Sequence, residues 1–401
     1  MTGAPEYPFR NPTALEPPPE WAELRQGCPV APIRLASGDE ALLLTRYDDV
    51  RQVLSDPRFT RRLDAEDAAR VTANESGGVF GGALSGASTM SGENHRAWRQ
   101  LVGRAFTAKR VTAMQPRIQA MTERLVDRMV AEGQPADLVS SVGFPLPVWA
   151  ICDLLGVPDS DRDRFAYWSD TMLSMTRFTQ EEIDAAQAEF DAYLMALVEA
   201  KRAEPGDDLI SELLAMVEGL DGRLTEQLLM GTAKGLLVAG HETTANMIGK
   251  MMSMLLADPA RWQALLADRG LIRPAVEESL RFDANPGFGM PRYLSEEVEV
   301  GGERLPGGTT VICSMAAANR DERQFERAAE MRLDRSPNPH VAFGVGPHSC
   351  LGQALARTEL QTVLKVLLDR LPTLEPAVPA AALRRREGLI VGGLEEVQVR
   401  W

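Results

Sequence analysis

Several things are scarce in this 401-residue sequence, and each shortage narrows the field. Its four cysteines, Cys28, Cys152, Cys313 and Cys350, lie far apart with no Cys-x-x-Cys pair. That pattern fits reduced thiols and leaves no cluster for an iron–sulfur centre. Long apolar runs are missing: stretches such as Ala41–Leu44 and Gly235–Gly240 fall far short of the roughly 18 residues that suggest a membrane span. The first residues, MTGAPEYPFRNP, carry an acid and prolines but no apolar core, so a secretory signal is not expected and a cytoplasmic location is. Basic residues are outnumbered, 43 Lys and Arg against 57 Asp and Glu, and the net charge of −14 argues against nucleic acid as a partner. Internal repeats and low-complexity tracts are absent. The glycines between Gly77 and Gly82 have no strand leading in and no apolar helix leading out, so they make no dinucleotide fingerprint.

What remains, 44% hydrophobic and 25% charged residues, belongs to a soluble globular chain, read here as one domain over 1–401. Residues 1–32 are proline-rich and read as an extended surface arm. Ala41–Thr45 predicts a short strand, and Tyr47–Leu54 a short helix. Residues 64–92 lose apolar periodicity and fill with Gly and Ser, as a long loop over a site would. Helices are predicted over Ile118–Glu132, Pro147–Leu155, Asp161–Leu173, Glu181–Arg202, Leu209–Leu220 and Leu224–Leu256. Strands are predicted at Pro291–Leu294, Val298–Val300, Thr309–Cys313 and Leu389–Val391. The fold class is therefore mainly α with small β-sheets.

Four stretches carry chemistry. The first, Phe343-Gly-Val-Gly-Pro-His-Ser-Cys350-Leu-Gly352, puts one cysteine at the exit of a glycine-rich loop, before a helix patterned by Leu351, Leu355, Leu360, Val363, Val366 and Leu367. By itself such a cysteine is more often a small buried apolar residue. Unpaired N–H groups and the helix dipole would favour its thiolate, and glycines let backbone lie against a flat object, which together suggest a haem-thiolate site. In the second, Ala239-Gly-His-Glu-Thr-Thr-Ala245, a glycine, an acid and two hydroxyls interrupt the longest predicted helix; Thr243 can bond a carbonyl one turn back, or the run can be a polar surface turn. The third, His95 and Arg99, lies on one helix side, able to grip an acidic ligand or simply to be solvated. In the fourth, Glu278 and Arg281 can pair at i, i+3.

Taken in chain order, His95/Arg99 first and the cysteine loop last, the four motifs resemble those of the soluble bacterial members of the cytochrome P-450 superfamily, and the resemblance spans nearly the whole chain. It implies the family fold, a long central helix above a haem buried against the cysteine loop. It implies that Cys350 is the axial thiolate ligand of a haem b iron (iron protoporphyrin IX), cradled by Phe343, Gly344 and Gly352. His348, His95, Arg99 and Arg292 would hold the haem propionates. Ala239 and Gly240 would leave the oxygen side open, Glu242 and Thr243 would deliver protons, and Glu278 and Arg281 would fasten the structure behind the haem. The activity implied is insertion of one oxygen atom of O2 into a hydrophobic small molecule, by hydroxylation or epoxidation, of the polyketide or macrolide, terpenoid or steroid kind. Electrons would come from a ferredoxin and its reductase, docking on Arg96, Arg104, Lys109 and Arg110, and the enzyme would be a monomer. The substrate wall implied comprises Val79, Phe80, Leu84, Met172, Met175, Phe178, Leu236, Ala239, Phe288, Met290, Ile390 and Val391. One departure stands out: the usual arginine of the segment before the cysteine loop falls on Glu330 and its aromatic neighbour on Met331, leaving Arg332 or Arg335 as replacement. An H2O2-driven peroxygenase, a non-catalytic haem-binding protein and a haem-free helical scaffold, with Cys350 and the histidines as core filler, are the rival readings.

Overall fold

The computed structural model describes residues 4–72, 92–219, 226–285 and 287–401. Its helices are α1 (Glu20–Gly27), α2 (Tyr47–Ser55), α3 (Gly92–Val102), α4 (Ala108–Glu132), α5 (Pro145–Leu155), α6 (Phe165–Met172) and α7 (Gln180–Ala203). They continue with α8 (Leu209–Gly219), α9 (Glu226–Leu256), α10 (Pro259–Ala267), α11 (Ile272–Phe282), α12 (Met315–Ala318) and α13 (Gln353–Arg370). Local chemistry sets several ends. Thr179 and Glu182 form a reciprocal capping box that starts α7, and Gly156, at φ +75°, stops α5 in the left-handed conformation.

Helix α9 is the axis of the core. Between Thr244 and Leu256 every residue is buried, including Asn246, Lys250 and Ser253, so this helix has no solvent face in that stretch. It packs on α5, α7, α10, α11 and α13. A Cβ at Gly240 would sit 2.6 Å from a side-chain carbon of Ile151, so the glycine lets α5 close against α9. One hydrophobic cluster runs from Tyr7 to Val399, and a second lies under the larger sheet.

That sheet contains β1 (Val30–Arg34), β2 (Glu40–Leu44), β3 (Phe59–Thr60), β5 (Met290–Leu294) and β8 (Thr310–Cys313) in the order β1-β2-β8-β5-β3, with only the β2–β8 pair parallel. Strands β4 (Ala136–Asp137), β9 (Glu375–Pro376) and β10 (Gln398–Arg400) form a second sheet, and β6 (Val298–Val300) pairs with β7 (Glu303–Leu305).

The predicted elements recur with shifted ends and three corrections. The proline-rich arm is not merely an extended surface strap: it contains α1, and Tyr7, Ala14 and Trp21 are buried. Helix α4 starts ten residues before the predicted Ile118 and carries Pro116 inside it, capped by the Thr107 hydroxyl. Leu389–Val391 forms no strand; Leu389 makes a single bridge to Ser174, and the Ile390 N–H donates to the Leu173 carbonyl at 2.9 Å.

Candidate active site

The cysteine loop is held by its own backbone. The Cys350 N–H donates to the Phe343 carbonyl at 2.8 Å, and the Ser349 N–H to that of Gly346 at 3.1 Å. Gly346 adopts φ +74°, and a Cβ there would lie 2.6 Å from the Leu54 carbonyl oxygen, so only glycine lets the loop seat on the end of α2. Cys350 opens onto a cavity that the loop shares with α3, α9, β5 and α13. Burial pushes its thiol up, while the Gly352 N–H, Arg99 and Arg357 pull it back. The net shift is upward, contrary to the sequence expectation. Cys350 stands three residues before α13, and burial outweighs the nearby donors.

Helix α9 forms the facing wall. Ala239 is exposed and lines this cavity, in the middle of a largely packed helix. The Thr243 hydroxyl donates to the Ala239 carbonyl at 2.9 Å. Gly240 borders the cavity, but the space it spares is taken by Ile151 of α5, which corrects its expected role of opening the oxygen side. Glu242 is another correction. A group that delivers protons draws them from water, yet Glu242 is 1% exposed, and its Oε1 accepts from Asn246 Nδ2 at 3.0 Å and Arg386 Nη1 at 3.0 Å. Burial raises its pKa, Asp170 adds to the rise and Arg386 opposes it. Arg386 is shared, since its other nitrogen pairs with Asp170 of α6.

One end of the cavity is cationic. His95 and Arg99 from α3, Arg292 from β5 and His348 from the loop line it, as does Arg61, which the sequence reading missed. The His95 and His348 rings lie 4.1 Å apart between centroids, and Arg99 Nη2 donates to the Ser349 carbonyl at 2.5 Å. Among the described residues no acid forms an ion pair with this set. The one carboxyl lining the cavity there is Glu359, whose pKa burial raises well above its ordinary value. Burial, Arg292 and Arg99 push Arg61 down to about 9. Burial, Arg61 and the neighbouring cations push His348 down to about 3, and His348 Nδ1 has no hydrogen-bond partner. A pair of carboxylates is the ligand chemistry this set lacks, so it fits the two propionates of a haem whose face would meet Cys350. Arg61 stands on no recognisable motif, and only its convergence with β5 reveals it.

Behind the cavity, Glu278 and Arg281 of α11 form a fully buried bidentate pair with bonds of 2.8 and 2.7 Å. Arg335 resolves the departure at Glu330: its Nε lies 3.0 and 3.1 Å from the two Glu278 oxygens. Arg332 contributes only its backbone N–H to Glu278. Glu330 offers its carbonyl to Arg281 and Arg335, while its side chain turns outward to Arg327.

Of the expected substrate wall, Leu236, Ala239 and Met290 line the cavity. Val79, Phe80 and Leu84 lie outside the described residues. Met175 and Phe288 line a separate, more polar cavity beneath the N-terminal arm. Met172, Ile390 and Val391 are packed into the core, and Phe178 rests edge-on against Tyr167. Of the four expected docking cations, Arg104 and Lys109 are exposed, Arg96 lies 3.7 Å from Glu93 and Arg110 pairs with Glu212.

Comparison with known proteins agrees with this geometry. The family model described as cytochrome P-450 matches residues 160–378. The mycinamicin IV hydroxylase/epoxidase of Micromonospora griseorubida is 42% identical over 98% of both chains. The nocardicin C N-oxygenase of Nocardia uniformis subsp. tsuyamanensis is also 42% identical, over 98% of each. The crystal structure of the putative thioether synthase SgvP, involved in the tailoring step of griseoviridin, superposes with a TM-score of 0.94 at 40% identity, covering 99% of this chain and all of the other. The chain belongs to the cytochrome P-450 family and is one of its monooxygenases.

Proposed function

We propose that this protein inserts an oxygen atom into a hydrophobic secondary metabolite, with Cys350 as the residue that would ligate the iron of a haem b. The observation that carries the reading is the acid-free cluster of Arg61, His95, Arg99, Arg292 and His348 on the same cavity as Cys350. A haem bound there would supply dioxygen activation. The protein supplies its seat and its protons: the five basic groups hold the two carboxylates, and the loop fixes the sulfur. The Thr243 hydroxyl, on the cavity wall, positions a proton at Oγ1, and Glu242, next to it on α9, is the acid that replenishes it. Polyketides or macrolides, terpenoids and steroids suit the apolar wall of Leu236, Ala239 and Met290, and the names of the similar proteins point to tailoring oxidations of secondary metabolites.

Electrons come from a ferredoxin and its reductase, since the sequence carries no flavin or iron–sulfur motif of its own. The exposed Arg104 and Lys109 are the cations left for that partner. The test is turnover of a macrolide panel with NAD(P)H, ferredoxin and reductase. In the same assay Thr243→Ala is expected to keep its haem while product per NAD(P)H falls about tenfold or more and hydrogen peroxide rises. Unchanged coupling removes Thr243 from the proton path. Turnover with H2O2 but not with ferredoxin selects the peroxygenase reading.

Arg61 is read as a propionate holder. A charge-assisted hydrogen bond contributes about 1.5–3 kcal/mol, so Arg61→Met is expected to lose haem to a scavenging apo-globin roughly 10- to 100-fold faster. An unchanged rate frees Arg61 from that role.

A further inference from the structure

Lys250 is an anomaly that neither the haem seat nor the proton path uses. It sits in the stretch of α9 buried on every side and is itself 1% exposed. Its Nζ donates to Asp283 Oδ1 at 3.1 Å and to Asn285 Oδ1 at 2.9 Å. Arg385 completes the cluster, donating from Nη2 to Asp283 Oδ2 and from Nε to the Ala14 carbonyl, each at 2.9 Å. Burial would raise the Asp283 carboxyl, but Arg385 and Lys250 hold it below its ordinary value. Buried ion pairs can often be replaced by apolar groups of similar volume with no loss of stability, so the presence of this one asks for another reason.

The third member supplies it. Asn285 Nδ2 donates to the Thr243 carbonyl at 2.9 Å, and Asn285 lines the same cavity as Ala239, Thr243 and Met290. Lysine can only donate and a carbonyl can only accept, so the two contacts fix which end of the amide is oxygen and which is nitrogen. Each end retains capacity after these contacts, one N–H and one lone pair. Among the described residues, Asn285 is the only side-chain amide lining this cavity. Of the hydroxyls lining it, Thr243 donates to the Ala239 carbonyl, Thr232 accepts from Trp98 Nε1 at 2.8 Å, Ser349 accepts from Arg99 Nη2 at 3.1 Å, and Thr244 is buried.

We infer that Asn285 is a specificity-determining contact, with its free N–H binding a carbonyl oxygen of the substrate beside the oxidised carbon, and that Lys250 is the positioning residue that holds the amide in that orientation. The substrate class sharpens accordingly: an apolar skeleton bearing a ketone, lactone or ester carbonyl near the reaction centre. The inference rests on the cavity being the substrate site of a haem enzyme.

The experiment is titration of the ferric holoenzyme by its Soret shift with three size-graded pairs: norbornane and norcamphor, adamantane and 2-adamantanone, cyclododecane and cyclododecanone. For at least one pair the ketone is expected to bind about tenfold tighter than the hydrocarbon. Asn285→Leu is expected to bring that ratio to near one by weakening the binding of the ketone. Lys250→Met is expected to lower the ratio without changing hydrocarbon affinity, a result that a purely structural role would not produce. Ratios near one for all three pairs in the parent enzyme, or a preference that survives Asn285→Leu, overturn the inference. A full preference in Lys250→Met removes the lysine's positioning role. Failure of the underlying haem reading looks different: the parent protein then shows no Soret band to titrate.

Discussion

Cys350→His is expected to abolish oxygen insertion and to shift the reduced, CO-bound absorbance from the far-red position of thiolate-ligated haem to that of histidine-ligated haem. The variant changes one donor atom and leaves the seat in place. Arg61, His95, Arg99, Arg292 and His348 still face the carboxylates, and the backbone bond from residue 350 to Phe343 does not depend on the side chain. Haem content should therefore persist while chemistry disappears. The thiolate is what favours O–O cleavage, and imidazole is a weaker electron donor to the metal. Turnover dropping below detection with a histidine-type CO spectrum is the expected pair of results. A variant that keeps the thiolate-type spectrum would place the ligand on another residue, and one that keeps full turnover would remove the thiolate from the mechanism.

Glu278→Ala should have the largest effect on stability. Its carboxylate is fully buried and takes hydrogen bonds from Arg281, Arg335, Asn338 and the Arg332 N–H. Removing it leaves two guanidinium groups in a dry site with no carboxylate partner among the described residues, since the other hydrogen bonds of Arg281 and Arg335 go to carbonyls. Breaking a buried pair on one side costs about 3–5 kcal/mol, a large share of the roughly 5–15 kcal/mol by which a native protein is stable. Urea unfolding followed by far-ultraviolet circular dichroism is the measurement, with a strongly lowered midpoint or an insoluble protein expected. An exposed i, i+3 pair would contribute well under 1 kcal/mol, so a midpoint within error of the parent would show that the cluster is solvated. Glu330→Ala is the matched control. Its carbonyl, not its side chain, serves the cluster, so the midpoint should barely move.

Legibility followed sequence distance. The cysteine loop, the Glu278–Arg281 pair and the polar interruption of α9 were readable because each is contiguous or one helical turn long. Helix periodicity located α7 and α9 because the apolar pattern and a capping box act locally. What could not be read depends on residues brought together from afar. Arg61 joins Arg292 through the packing of β3 on β5, and it is 231 positions away in sequence. Arg335 and Arg332 were indistinguishable until the chain turned one side chain inward and the other outward. The partner of Glu242 lies 144 residues downstream, so its removal from bulk water was invisible in the run Gly240-His-Glu-Thr. Ile151 filling the space at Gly240 is a packing fact, and no spacing rule reports it.

Arg386 holds two carboxylates with one charge, which makes them thermodynamically dependent on each other. Asp170 rides on α6, and its negative charge raises the proton affinity of Glu242 while competing for the same guanidinium. If α6 withdraws, Glu242 loses a like-charged neighbour and keeps its cation, so it becomes a stronger acid. The ionisation of the carboxyl next to Thr243 is thereby tied to the position of a helix on the far side of Arg386.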